Sequence, residues 1–432
     1  MNRILALLAV AALGCASRLT AAEAPNVVLI VSDDHGWTDY GFMGHAHVQT
    51  PHLDKLASQS LTFRRGYVPT SLCCPSLASI ISGRYPHQHK ITSNDPPMPP
   101  GMKPGQFHKT RAFLDGREVM TKHLEAVPTL PRLLAGKGYV SLQTGKWWQG
   151  DYRRGGFTHG MTKGQRHGDE GLDIGRKTMQ PIFDFVADAR KAGKPFFVWY
   201  APMLPHTPHN PPERLLAKYQ DKAPSPSVAK YWAMVEWFDE TCGQLLDHLE
   251  KEQLAENTIV VYVTDNGWIQ DPDGALSVRS KRTPYDAGLR TPILVRWPGK
   301  VKPRTSDELA SSLDIVPTLF AAVGLPAEKE LPGVNLLDES AVKARKTLFG
   351  ECHTHNAVDL NDPAKNVRHR WVIDGNWKLI VPHVPADKDG PGEPELYDLA
   401  ADPHEKSNRI AGQAEMAAAL RGKLDRWWNP AR

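Results

Sequence analysis

Residues 71–87, SLCCPSLASIISGRYPH, place a cysteine where a helix opens. Pro75 and the short run to Gly83 predict a helix that starts just after Cys73, with Pro at its first position and Gly as its stop. A side chain at that start meets unpaired backbone N–H groups and the positive end of the helix dipole. The setting suits an anionic substrate and a lowered thiol pKa. Read as packing instead, Cys73 and Cys74 are a buried couple at a helix start, the usual place of unpaired cysteine.

Two acidic pairs supply a second kind of chemistry. Asp33 and Asp34 directly follow the apolar run NVVLIVS, and Asp265 and Asn266 directly follow IVVYVT. Ligands of open parallel α/β sheets bind beyond the carboxyl ends of strands, so the two pairs can converge on one spot. Three carboxylates and one amide oxygen form an all-oxygen donor set suited to calcium first and magnesium second. Taken singly, Asp-Asp-His-Gly and Asp-Asn-Gly are ordinary turns. Two of them at matching strand ends, in a chain that also carries Cys73, favour a metal.

The elements that must position these residues are legible as alternating apolar runs and amphipathic stretches. Strands are expected at residues 26–32, 139–144, 195–200 and 258–264, with helices covering 54–60, 129–135, 179–192 and 228–252. That order implies an α/β fold with a mostly parallel central sheet and helices on both faces. Beyond residue 332 the texture changes to short strands at 347–352, 371–374 and 377–381 and a final helix at 413–427. A catalytic domain at 23–332 and a smaller C-terminal domain of antiparallel sheet and helix at 333–432 are expected. The Pro-rich segment 94–106 is too rich in proline for a helix or central strand and reads as a surface loop at the pocket rim.

Composition narrows the function classes. The 432 residues carry a net charge of +4 without a Lys/Arg run, so nucleic acid is excluded as the expected partner. Residues 1–22 have an early Arg3, an apolar run and a small-residue end. They read as a cleaved signal peptide, too short for a membrane span, and place the protein in the periplasm or outside the cell. A lipid anchor at Cys15 is the lesser alternative, because Ala12 stands where a larger aliphatic residue is usual. Cys73, Cys74, Cys242 and Cys352 make no disulfide framework and no zinc spacing; Cys242 falls on the inner face of a helix.

The chain resembles the type I sulfatases of the alkaline phosphatase superfamily. NVVLIVSDDHGW, TPHLDKLASQSLTFRRGYV, GKWW, SKRTPYDAGLRTPILVRWPG, SLDIVPTLF and ELYDLAADPHEKSN carry the resemblance across nearly the whole chain. It implies an alkaline-phosphatase-like fold and a sulfuric ester hydrolase acting on a sulfated sugar. Cys73 is then oxidised to formylglycine (3-oxoalanine) by a formylglycine-generating enzyme. Its hydrate attacks sulfur, and its second hydroxyl later drives sulfate out as the aldehyde reforms. The resemblance also implies one calcium ion held by Asp33, Asp34, Asp265, Asn266 and the modified Cys73. Lys146 and Lys281 hold the sulfate oxygens, His206 protonates the leaving oxygen, and Arg84 completes the catalytic set.

Two departures stand against the family pattern. Leu77 replaces the arginine of the C-x-P-x-R signature, and Trp148 replaces a histidine two residues after the lysine. Indole donates one hydrogen bond and accepts no proton, so either another base serves, with His35 a candidate beside the metal pair, or the step is slower. The departures keep two alternatives open: a phosphate or phosphonate ester hydrolase, and a catalytically silent protein that binds sulfated glycans. Trp147, Trp148, Trp268 and the stretch His353, Thr354, His355 are candidates for a sugar-binding rim or for packing.

Overall fold

The computed structural model describes residues 24–326, 328–383 and 390–431; the expected leader and Cys15 lie outside them. Eight strands form the main sheet: β1 (Asn26–Ser32), β2 (Leu61–Tyr67), β3 (Val140–Gly145), β4 (His159–Gly160), β5 (Phe196–Ala201), β6 (Thr258–Thr264), β7 (Arg290–Arg296) and β8 (Arg304–Ser311). Their order is β4-β3-β5-β1-β6-β7-β2-β8, and only β7 runs antiparallel to its neighbours β2 and β6. β1 is continuously apolar because both of its faces are covered. Val27, Leu29 and Val31 pack on the side of the helix Cys73–Ser82, with Leu77, Ile80 and Ile81. Val28 and Ile30 pack on the other side, against Met234, Phe238, Cys242 and Leu245 of the helix Pro226–Lys251. Cys242 is thus core, as its helical spacing implies.

A second, antiparallel sheet follows in the order β12-β11-β10-β9, from β9 (Thr347–His353), β10 (Val367–Asp374), β11 (Trp377–Pro382) and β12 (Glu395–Asp398). Side chains alternate between its faces, as strand geometry requires. Trp371, Ile373 and Ile380 meet Tyr67, Leu289 and Leu309 of the main body. Val372, Leu379 and Val381 meet Leu420 and Leu424 of the helix Ala414–Trp427. β9 also braces the chain ahead of Cys73: the Glu351 N–H donates to the Pro69 carbonyl at 2.9 Å.

The expected surface loop at 94–106 is corrected at both ends, and Pro104–Phe107 form a short helix with Pro at its first position. Asn94 and Asp95 are buried, and Pro96 packs against Gly116 of a helix, Arg111–Glu125, that the sequence reading did not anticipate. That helix is capped by Thr110, whose side chain accepts the Phe113 N–H. Among the described residues no helix is long and apolar enough to cross a membrane.

Candidate active site

β1 and β6 are paired in parallel with Ser32 opposite Thr264, so the next residues, Asp33 and Asp265, leave the sheet side by side. Asp34 turns the chain through a left-handed conformation (φ 58°), a region Asp tolerates better than most residues. Its N–H donates to Asp265 Oδ1 at 3.2 Å, and Asn266 Nδ2 donates to Asp34 Oδ1 at 2.7 Å. β3 delivers the first lysine. It ends at Gly145 (φ 74°), where a Cβ would collide with the Ala201 carbonyl, and Lys146 follows directly. Lys146 Nζ lies 2.6 Å from Asp33 Oδ1 and 3.6 Å from Asp265 Oδ2, and Lys281 Nζ lies 2.6 Å from Asp34 Oδ1. His206, on the loop after β5, brings Nε2 to 3.4 Å from Asp34 Oδ2. Cys73 joins them: its sulfur and one ligand atom each from Asp33, Asp34 and His206 all lie within 4.8 Å of one another.

The helix carrying Cys73 begins at that residue itself, with Leu72 as a cap that offers no side-chain acceptor. Asn94 takes the capping role from a distance, its Oδ1 accepting the Cys74 N–H at 2.9 Å. The expected lowering of the thiol pKa is overturned. Burial pushes Cys73 up to about 12, and Lys146 and Lys281 pull it back only in part. Loss of water around a fully enclosed thiol outweighs both the helix end and two ammonium groups.

The donor set fits a cation. Asp33 Oδ2, Asp265 Oδ2 and Asn266 Oδ1 are buried oxygens without a hydrogen-bond partner, an arrangement that is costly unless something positive meets them. Burial, followed by the charge of Asp33, holds the Asp265 carboxyl well above the usual range. Burial also opposes ionisation of Asp34, but Lys281, His206 and Lys146 outweigh it and hold that carboxyl below the usual range. The two ammonium groups are matched by the carboxylates they pair with, which leaves no net positive charge to draw in a sulfate. A divalent cation would supply it.

Arg84 is not brought to the site. It lies past the far end of the Cys73–Ser82 helix, 3.6 Å from Glu328 and 3.6 Å from Glu330. His35 is also turned away: it stacks on Tyr40 at 4.1 Å and its Nε2 meets the Asp39 carbonyl at 3.1 Å. Leu77 and Trp148 are both buried in the core on the Cys73 side of the sheet. Trp148 lies between two guanidinium groups, Arg117 at 5.3 Å and Arg166 at 4.8 Å from its ring centre. Arg117 Nη1 also reaches the Asn94 carbonyl at 3.0 Å. Two other segments therefore bring positive charge to Trp148.

The sequence reading also missed His167, whose ring centre is 4.4 Å from that of Trp148 and 6.1 Å from that of His206. The only sequence signal is a polar, Gly-rich stretch, QRHGDEG, shortly after GKWWQ. Of the rim candidates, Trp147, Trp148, Trp268 and His353 are buried. Trp268 lines a cavity of about 300 Å³ with Trp37, Tyr231, Trp232 and His404. Lys281 Nζ is 5.9 Å from the Trp268 ring centre, so that cavity adjoins the charged cluster.

Comparison with known proteins follows the same lines. The family profile for Sulfatase matches residues 25–325, and that for N-sulphoglucosamine sulphohydrolase, C-terminal, matches residues 274–428. Human arylsulfatase A is 31% identical over 485 residues, covering 93% of this chain and 86% of that protein. N-acetylgalactosamine-6-sulfatase of Canis lupus familiaris is 27% identical over 425 residues, covering 87% and 77%. The solved structure of BT4656 in complex with its substrate D-glucosamine-2-N,6-O-disulfate superposes with a TM-score of 0.73 at 20% identity, covering 94% of this chain and 96% of that one. At that identity it speaks for the fold alone.

Proposed function

The chain belongs to the sulfatase family, and from that premise we propose that it hydrolyses a sulfate ester on a carbohydrate, with formylglycine at Cys73 and one calcium ion. The observation that carries the reading is the convergence of Cys73 with Asp33, Asp34 and His206, next to buried acceptor oxygens that lack partners. Asp33, Asp34, Asp265 and Asn266 would hold the ion, whose charge would draw in and polarise the sulfate group. Oxidation of Cys73 would supply a geminal diol, which an enclosed thiol of pKa about 12 cannot replace as a nucleophile.

Lys146 on Asp33 and Lys281 on Asp34 would stabilise charge as it moves onto the transferred group. His206 Nδ1 donates to the Thr207 carbonyl at 2.6 Å, so Nε2 carries a proton for the leaving oxygen when the ring is the doubly protonated imidazolium. Burial lowers the pKa of His206, Asp33 and Asp34 raise it, and the two lysines lower it again. The net fall loosens that proton for transfer. The aromatic cavity at Trp268 supports a sugar as the leaving group, since pyranose faces stack on such rings. The reading includes export by the leader expected at 1–22 and a division of the chain near residue 332.

Matched aryl sulfate and aryl phosphate esters test the proposal. Sulfate release is expected to exceed phosphate release by at least about tenfold. Faster phosphate release would move the chain to phosphate and phosphonate ester hydrolysis. Calcium-dependent glycan binding without product would make it a silent binder.

A further inference from the structure

His167 sits in a segment whose backbone is bent out of the ordinary regions at three consecutive residues: His167 at φ 71°, Gly168 at φ 119° and Asp169 at φ 41°. At His167 and Asp169 such conformations are strained, as they are not for glycine, and they persist where surrounding contacts over-determine them. Those contacts are present. The Asp169 carboxylate accepts N–H groups from Lys163, Gln165 and Glu170 at 2.8–3.0 Å. The His167 carbonyl accepts the Trp147 N–H at 3.0 Å, which ties the bend to the residue after Lys146. A Cβ on Gly168 would come within 2.6 Å of the Gly145 carbonyl oxygen, so the segment lies flat against the end of β3.

The imidazole is fixed as firmly as its backbone. Arg166 is clamped on the buried carboxylate of Asp95 by two hydrogen bonds of 2.9 Å, and its Nη1 donates to His167 Nε2 at 2.7 Å. A guanidinium only donates, so Nε2 is the bare acceptor nitrogen and the neutral ring carries its proton on Nδ1. Among the described residues the His167 side chain has a hydrogen bond at Nε2 alone, and Nδ1 is not one of the enclosed polar atoms, so it stays open to a ligand. The ring lies against Trp148 and His206, and Lys146, Lys281, His206 and Arg166 all act on its charge state.

We propose that His167 contacts the substrate, as a neutral imidazole that donates a hydrogen bond from Nδ1 to an oxygen of the sulfate ester, beside Trp148, whose indole N–H is buried without a partner. The inference rests on the sulfate-ester reading above. Burial, then Arg166, Lys146, His206 and Lys281, press the His167 pKa far below its ordinary value. His167 therefore does not take over the base role of the missing family histidine. It supplies an uncharged donor.

Two variants that tolerate the left-handed backbone test this: His167→Gly removes the ring, and His167→Asn keeps an amide donor near the place of Nδ1. On a sulfate ester, His167→Gly is expected to lose at least about tenfold in kcat/KM, with the acid limb of its pH profile unmoved, and His167→Asn to recover most of the loss. Full activity in His167→Gly, or loss of the acid limb, would overturn the proposal. If the wild-type protein cleaves no sulfate ester, the functional reading has failed independently. The calcium-loaded protein titrated with inorganic sulfate then decides on His167, with binding at least about tenfold weaker in His167→Gly expected and equal binding contradicting it. Nitrogen NMR of the wild type covers the case of a variant that does not fold: a neutral ring protonated at Nδ1 and shifted by sulfate is expected, and a ring protonated at Nε2 would overturn the proposal.

Discussion

Replacing Cys73 with alanine is expected to lower kcat for sulfate release by at least about 10⁴-fold, the scale on which removing a covalent nucleophile acts. Inorganic sulfate should still bind the calcium-loaded variant within about threefold of the wild type, because Lys146, Lys281 and the acidic residues that would hold the ion remain. The neighbouring cysteine is the control. Cys74 is buried, its sulfur accepts from Gln149 Nε2 at 3.1 Å, and its backbone N–H is held by Asn94. Cys74→Ala removes one sulfur atom from a packed site and should cost less than about tenfold in kcat. Equal losses in the two variants would mean that Cys73 acts through packing, and the nucleophile assignment would fall. Steady-state rates with an aryl sulfate and calorimetric sulfate titrations supply both numbers.

Removal of calcium is the second large effect. Chelation, or Asp265→Ala, is expected to lower kcat/KM by at least about 100-fold, since a bound cation contributes several kcal/mol of charge stabilisation. Returning calcium should restore the chelated wild type but not the variant. Stability should follow. Saturating calcium at a hundred times its Kd stabilises the fold by about 2.7 kcal/mol, visible as a rise in Tm. The pH dependence has a definite sign. Burial, followed by the charge of Asp33, raises the Asp265 carboxyl in the metal-free fold. The folded chain then keeps a proton that the unfolded chain releases above about pH 4. Metal-free stability from this group is accordingly present below that pH and is lost as pH rises toward the folded pKa. The gain in Tm from calcium should widen over the same interval. A calcium effect that is flat with pH would place the ion away from Asp265.

The parts of the site that were legible in the sequence are those set by local pattern. An apolar run buried on both faces, then two oxygen donors, announces a strand and its carboxyl end, so Asp33, Asp34, Asp265 and Asn266 could be placed together before any geometry was known. Lys146 and Lys281 have no such signal and were found only through the resemblance. The thiol pKa was misjudged because a helix end is visible in sequence and complete burial is not. Arg84 was misplaced because matching a motif gives no direction: a helix of ten residues separates the two ends of that motif. His167 and Arg117 were invisible for a different reason. Each reaches Trp148 through a segment that folds back on the core, one through a strained bend and one through a helix that follows a Pro-rich stretch.

Leu77 concentrates the issue on maturation. It stands one helical turn from Cys73, 4% exposed and packed in the core, so the signature arginine is absent from this helix. The most direct measurement is peptide mass spectrometry across Cys73, on protein made in a host with a formylglycine-generating enzyme. The account predicts an aldehyde at Cys73. A wholly unmodified thiol, in a host that converts a C-x-P-x-R control, would contradict it and leave the charged pocket as a binding site for sulfated glycans.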